Sequence, residues 1–67
     1  MNDFRARLFE EFDQLGKRTD RLKEFCLTDK FDSLPEIERN DLREQLKHMQ
    51  AYWKVLSHRV SRQCGNA

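Results

Sequence analysis

Aromatic, cationic and hydroxyl side chains are the groups in this sequence with the chemistry to bind a ligand. Phe9 and Phe12 have aromatic faces that could stack on nucleobases. Arg59, in a basic stretch near the end of the chain, could donate paired hydrogen bonds to a phosphate. Thr28 and Lys30 could offer a hydroxyl and an ammonium group to the same kind of anion. These residue types indicate some capacity to bind phosphate.

Each of these groups also has an ordinary structural interpretation. Phenylalanines at helical spacing commonly belong to a hydrophobic core, and turn residues such as Thr28 and Lys30 are commonly only solvated. From residue 45 onward the chain has bases but no acid, and in an antiparallel hairpin Glu10, Glu11 and Asp13 would neutralise this stretch. The residues by themselves leave both interpretations open.

Catalytic and metal-binding patterns are not recognisable in the sequence. It has no glycine-rich phosphate loop, no nucleophile elbow, and no histidine with a positioned acid and nucleophile. His48 and His58 are ten residues apart, which is not the spacing of a helical ligand pair, and Cys26 and Cys64 match no metal motif. We therefore predict a protein that is not an enzyme, with no catalytic residue, no metal and no cofactor, and with both thiols free.

Composition excludes several further classes. The chain has 67 residues, 37% of them charged, and a net charge of +1, so it is at most one domain and is not expected to bind DNA or RNA polymers through summed charge. No apolar run approaches the roughly 20 residues of a membrane span. The first residues are charged and lack a signal-peptide core, which favours a cytoplasmic location.

Hydrophobic periodicity predicts the elements that must position the candidate residues. Apolar and small residues recur at steps of four and three in both halves of the chain, as in helices that present one seam to a packed partner. We predict a single helical domain over 1–67, with helices at about 3–27 and 35–62 and a frayed tail at 63–67. The first seam is Leu8, Phe12, Leu15, Thr19, Leu22 and Cys26, and the second is Leu42, Leu46, Met49, Trp53, Leu56 and Val60.

The segment at about 28–34 interrupts both patterns and is predicted to be a turn. Pro35 is compatible only with a helix start, and Ser33 and Glu36 have the spacing of a capping box, so the second helix should begin between residues 33 and 36. Gly16 lies inside the first helical pattern, either as a tolerated weak point or as a place where another backbone or a ligand comes close.

Two seams of similar length joined by a short turn predict an all-α antiparallel hairpin. Its apolar stripes are wider than one neighbouring helix can cover. A hairpin of this size therefore favours assembly into a homo-oligomeric helical bundle. The aromatic residues that a two-helix unit cannot fully shield are Phe4, Phe9, Phe12, Phe25, Tyr52 and Trp53.

Several short motifs, in order along the chain, resemble a known family. The chain has Glu-Glu-Phe-x-x-Leu at 10–15, Phe31-x-x-Leu34 across the turn, and Met49-x-x-Tyr52-x-x-x-Leu56-x-x-Arg-Val in the second helix. In this order and spacing, over residues 4 to 62, the sequence resembles small phage anti-CBASS proteins, which sequester cyclic oligonucleotides. The resemblance implies a compact helical hexamer without catalytic activity, acting as a sponge for the messengers of the infected bacterium.

The resemblance also implies two kinds of site. A cyclic dinucleotide would lie between two subunits, with Phe12 against a base, Phe9 beside it, and Thr28 and Lys30 available for phosphate. The family often has tyrosine where this chain has Phe12, and Leu27 stands where a phosphate-binding lysine is expected.

A cyclic trinucleotide would occupy a separate pocket where three subunits meet. Arg59 matches the arginine that lines that pocket in the family, and Gln63, one helical turn later, would line it too. Three copies of this arginine around a three-fold axis would face three phosphates.

The leading hypothesis is therefore a phage protein that sequesters cyclic di- and trinucleotides in the cytoplasm of an infected bacterium and so blocks activation of CBASS effectors. The alternative is a structural or regulatory interaction module that inserts its aromatic stripe into another protein. A third interpretation, sequence-tolerant nucleic-acid binding, would use Lys47, Lys54, Arg59 and Arg62 but fits the near-neutral charge poorly.

Overall fold

A computed structural model describes residues 3–64, with side chains for residues 4–64, and within this range the chain is helical with no strand. Helix α1 spans Asp3–Phe25, the one-turn helix α2 spans Asp29–Asp32, and helix α3 spans Glu36–Gln63. Helices α1 and α3 pack against each other as a hairpin, which confirms the predicted all-α class. Of the tail predicted at 63–67, residues 65–67 lie outside the described residues.

The core of the hairpin is a narrow line of leucines where the two seams meet. Leu8 and Leu15 from α1 are buried against Leu56 from α3, whose exposed fraction is 0%. Thr19 continues the line as a buried polar residue, and its hydroxyl donates a 2.7 Å hydrogen bond to the carbonyl oxygen of Leu15. Because that bond stays within one helix, Thr19 can be buried without a partner from α3.

The turn contains a helical turn of its own, organised by Thr28. Its Oγ1 accepts a 3.3 Å hydrogen bond from the backbone N–H of Phe31 and donates a 2.7 Å bond to the carbonyl oxygen of Phe25. Phe31 is only 2% exposed and meets the ring of Phe25 edge to face, with 6.0 Å between centroids. The guanidinium of Arg43 lies over the Phe31 ring, 5.2 Å from its centroid. Cap and aromatic contacts together hold α2 between the long helices.

The second long helix begins without the predicted capping box. Pro35 occupies the N-cap position with φ −57°, and its carbonyl oxygen accepts the backbone N–H of Arg39 at 3.1 Å. The hydroxyl of Ser33 donates instead to the carbonyl oxygen of Lys30 at 2.8 Å. Because Ser33 closes the C-terminal end of α2, it is not available to cap a helix that starts at Glu36.

Replacement of Thr28 tests the cap directly. We expect Thr28→Ala to lower the free energy of unfolding by about 1 kcal/mol, because the first turn of α2 loses its side-chain acceptor. Thr28→Ser keeps the hydroxyl and should retain most of that stability in urea titrations followed by circular dichroism. Equal midpoints for the alanine variant and the wild type would show that the cap contributes nothing.

Much apolar surface stays uncovered in a single hairpin. The described residues form a rod of 47 × 17 × 15 Å, whose width allows only one layer of buried side chains. Leu27, at 83% exposed, and Ile37, at 70%, project near the turn, while Phe4 and Val55 are exposed along the rod. Within the described residues, no helix combines the length and apolar character needed to cross a membrane.

Candidate ligand-binding surfaces

Aromatic rings from both long helices gather on one side of the hairpin. The rings of Phe12 and Trp53 stack with centroids 5.1 Å apart and planes inclined by 23°. Phe12 is half-buried, whereas Phe9, one turn earlier on α1, is 39% exposed. We call the surface formed by Phe9, Phe12, Gly16 and Trp53 the aromatic face. The structure thus brings both aromatic residues predicted from sequence to one surface, with Phe12 already stacked on one side.

Trp53 lies at the edge of the seam rather than inside it. The seam pattern predicted a core position, but the side chain is 38% exposed. A Cβ atom added to Gly16 would lie 3.2 Å from Nε1 of Trp53, so the indole rests against α1 where no side chain stands in its way. A backbone or a ligand was expected close to Gly16, whereas the structure places the side chain of Trp53 there.

A hollow of about 230 Å³ opens beside Trp53 on the aromatic face. Sequence reasoning allowed a ligand close to Gly16 but did not predict this hollow or a binding role for the polar residues around it. The available signal was a lone glycine inside a helical pattern, in a chain with a single tryptophan to fill the space. Its lining residues are Gly16, Thr19 and Asp20, followed by Lys23, Gln50 and Trp53.

Thr28 and Lys30 lie at the turn, far from the aromatic face of their own chain. From Phe12 to the end of α1 at Phe25 the helix rises about 20 Å. Lys30 is exposed, while the hydroxyl of Thr28 already forms two hydrogen bonds within the turn. One chain therefore does not unite the four residues predicted for a dinucleotide site.

At the open end of the hairpin, Arg59 and Gln63 lie together. The guanidinium carbon of Arg59 is 6.0 Å from the centroid of the Phe4 ring, and Gln63 accepts a 3.0 Å hydrogen bond at Oε1 from Nε of Arg5. Both residues are half-buried, and their spacing of four puts them on one face of α3. Two guanidinium groups and an amide thus converge at this end, a donor set suited to oxyanions.

Direct neutralisation of the basic stretch by α1 is not seen among residues 4–64. The two ion pairs in this range lie within single helices, Lys17 with Asp13 at 3.2 Å and His48 with Glu44 at 3.5 Å. No carboxylate of residues 4–64 pairs with Arg59. The guanidinium is therefore held by an aromatic ring, which leaves its hydrogen-bond donors available to an anion.

The two cysteine side chains lie near opposite ends of the hairpin. Cys26 is half-buried near the turn, Cys64 is exposed at the C-cap of α3, and both are free thiols. Within the described part of the chain, no three histidine, cysteine, aspartate or glutamate side chains are grouped so as to hold a metal ion.

A groove of about 420 Å³ runs along the side of the hairpin away from the aromatic face. Its central contact is a hydrogen bond from the hydroxyl of Tyr52 to Oε2 of Glu11. This bond is the main cause of a raised pKa of Tyr52, with desolvation and the charge of Glu11 adding to it and Arg59 opposing it. Mixed charge makes the groove less suited to a polyanion than the open end. Its lining residues are Arg7, Glu10, Glu11, Gln14, Leu15, Arg18 and Tyr52.

Replacement of Glu11 should lower the pKa of Tyr52. Glu11→Ala removes both the acceptor and the negative charge, so we expect the pKa to fall toward the ordinary value for tyrosine. Because the folded-state pKa is raised, the stabilisation from this bond is complete below tyrosine's ordinary pKa and is lost as pH rises through the folded value. Tyr52 is the only tyrosine, so tyrosinate absorbance during a pH titration reports it alone.

Glu10→Ala is the matched control for that titration. Glu10 lines the same groove, but Tyr52 donates its hydrogen bond to Glu11. An equal change of the Tyr52 pKa in both variants would assign the shift to general negative charge and contradict the specific bond.

Comparison with known proteins gives one match. The family model described as Sequestin matches residues 2–62, which is nearly the whole chain. Searches of the curated proteins and of the solved structures found no match.

Proposed function

The chain belongs to the Sequestin family, and on that premise we propose that it binds and sequesters cyclic di- and trinucleotides without cleaving them. In this proposal the protein is a phage anti-defence factor acting in the cytoplasm of the infected bacterium. Each messenger molecule held by the protein is unavailable to the CBASS effector that it would activate. The protein therefore acts by stoichiometric binding and needs no catalytic group.

The observation that carries this proposal is the arrangement at the open end of the hairpin. Arg59 lies against the Phe4 ring with no carboxylate partner among residues 4–64, and Gln63 lies one turn away. A half-buried guanidinium without an ion-pair partner among these residues is available to an anion, and a phosphodiester offers two acceptor oxygens. Three such ends around a three-fold axis would offer one guanidinium to each phosphate of a cyclic trinucleotide.

Cyclic dinucleotide binding calls for two chains. The aromatic face and the turn of one chain are separated along α1, so a site that joins Phe12 to Lys30 would take the two residues from different chains. A pair of chains related by a two-fold axis would supply two aromatic faces and two turns. That symmetry matches the two bases and two phosphates of the ligand.

Exposed apolar surface supports an oligomer, which we propose to be a hexamer. The rod has a thin core and exposes Phe4, Phe9, Trp53 and Val55. Packing copies together would bury this surface and create the shared sites at the junctions. Without an anion, neighbouring copies of Arg59 would repel one another, so bound ligand should stabilise the assembly by mass action.

A panel of cyclic di- and trinucleotides tests the proposal. Purified protein is mixed with each compound, its melting temperature is recorded, and the nucleotide released by heating is identified by chromatography. We expect at least one compound to raise the melting temperature at micromolar concentration and to be recovered intact. If none binds, sequestration is wrong; if the recovered nucleotide is cleaved, the non-enzymatic part is wrong.

A second candidate function, an interaction module for another protein, is favoured by the exposed side chains near the turn. Leu27 and Ile37 are the most exposed large apolar residues described, and neither has a side chain that could bind phosphate. Sedimentation distinguishes the candidates. A protein that sediments as a folded monomer at micromolar concentration and binds no nucleotide of the panel would favour the interaction module, because sites shared between copies could not form.

A further inference from the structure

We infer that the hollow beside Trp53 is a purine-binding pocket that takes one base per chain. The hollow lies on the aromatic face between α1 and α3 and is lined by residues outside the predicted dinucleotide set. The choice of a nucleobase over another planar ring rests on the proposed function.

The indole of Trp53 provides the stacking surface. Phe12 packs on the ring with a centroid distance of 5.1 Å, which fixes its orientation, yet 38% of Trp53 stays exposed. Gly16 lines the hollow and has no side chain to occupy it. An immobilised, partly exposed indole beside an open space is a favourable platform for a base, since stacking on an aromatic side chain contributes roughly 1–3 kcal/mol per base.

Three polar side chains around the hollow can select a purine nucleotide. The amide of Gln50 can donate to N7 and accept from N6 of adenine, a pairing that glutamine uses elsewhere in base recognition. Asp20 can accept a further hydrogen bond from an exocyclic amine. Lys23, which forms no ion pair with a carboxylate of residues 4–64, can reach the attached phosphate.

The size of the hollow limits what enters it. At about 230 Å³ it is smaller than the roughly 300–1,000 Å³ of typical sites for drug-sized ligands. In this proposal one heterocycle enters the hollow, while the sugar and phosphate stay outside. On this arrangement Trp53 and Gln50 read the base, and Phe9 and Phe12 lie next to it on the same face.

Fluorescence of Trp53 gives a direct test, because it is the only tryptophan in the chain. Adenosine monophosphate is titrated into the full chain, with uridine monophosphate as the second probe. We expect saturable quenching by the adenine nucleotide and weaker quenching by the uridine nucleotide. Gln50→Ala should weaken adenosine monophosphate binding about tenfold, within the range for loss of a bidentate amide–adenine pair.

Gln45→Ala is the matched control, because Gln45 is an exposed glutamine of the same helix that does not line the hollow. It should bind adenosine monophosphate as the wild type does. Gly16→Ala gives a second, independent variant, because its methyl group would lie 3.2 Å from Nε1 of Trp53 and displace the indole that forms the stacking surface. We expect it to lose adenine binding while circular dichroism shows unchanged helicity.

The outcomes separate this inference from the proposed function. Quenching that is equal in the wild type, Gln50→Ala and Gly16→Ala would overturn the purine pocket. So would cyclic oligonucleotide binding that leaves both Trp53 fluorescence and the Gln50→Ala affinity unchanged, although sequestration would then stand. Saturable adenosine monophosphate binding without binding of any cyclic oligonucleotide would support the pocket and refute sequestration.

Discussion

Arg59→Ala is expected to weaken cyclic trinucleotide binding on the order of 1,000-fold and to leave cyclic dinucleotide binding nearly unchanged. Each copy of the pocket would lose one charge-assisted hydrogen-bonding group, worth about 1.5 kcal/mol or more. Three copies acting on one ligand would lose about 4.5 kcal/mol in total, which is a ratio on the order of 1,000. Isothermal titration with cyclic triadenylate and with a cyclic dinucleotide measures both affinities.

Two further arginine variants make this test specific. Arg62→Ala removes an exposed guanidinium one turn later on α3 and should change trinucleotide affinity only slightly. Arg59→Lys keeps the charge but not the planar fork, so its affinity should fall between those of the wild type and the alanine variant. Because Arg59 contacts the Phe4 ring, melting curves of the variants must show that the hairpin is intact.

If Arg59→Ala lowered the affinities for cyclic dinucleotides and cyclic trinucleotides equally, two separate pockets would be contradicted. If Arg62→Ala lowered the affinity for the cyclic trinucleotide as much as Arg59→Ala does, the result would instead indicate general electrostatic attraction to a basic helix end. Salt dependence of the affinities separates these cases further, since a summed electrostatic effect weakens steadily with salt.

Leu56→Ala is expected to lower the free energy of unfolding by about 3 kcal/mol. Leu56 is the most completely buried side chain described, with an exposed fraction of 0%, and it packs against Leu8 and Leu15. Truncation of a buried leucine loses its transfer free energy and leaves a cavity that the neighbours fill only partly. For a chain of this length the melting temperature should fall by about 15 °C.

Val55→Ala is the neighbouring control for the core. Val55 is exposed on the isolated hairpin, so its truncation should cost less than about 1 kcal/mol at low protein concentration. Thermal melts at matched concentrations compare the two variants, because assembly makes the melting temperature concentration-dependent. If Val55→Ala lowered the free energy of unfolding more than Leu56→Ala does, the main core would lie at an interface between copies. That result would contradict a core formed by Leu8, Leu15 and Leu56 within one hairpin.

The hairpin could be predicted because its causes are local. The steps of four and three that unite Leu8, Leu15 and Thr19 specify one helix face, and these three residues are buried in the structure. The start of α3 was also predictable from a local cause, because a proline such as Pro35 is tolerated at the start of a helix but not in its interior. The capping box was wrong because Ser33 bonds to Lys30, a partner offered only by the helical turn of α2.

The candidate site was predictable to the extent that its residues share one helix. Arg59 and Gln63 are four apart, so their proximity on α3 follows from helix geometry. Their contacts with Phe4 and Arg5 depend on how far α1 and α3 slide past each other. That offset is decided by the packing of many side chains across the seam, which spacing along one helix does not express.

What the sequence determined by itself is the helical hairpin, the seams that join its helices and the acid-free basic stretch from residue 45 onward. Periodicity and charge are properties of neighbouring residues, so no tertiary information is needed to recognise them. Only the tertiary structure decided that Trp53 rests on Gly16, that Phe12 stacks on the indole, and that a hollow opens beside them. These contacts join residues from two helices, and a contact across the seam depends on the register in which the helices pack.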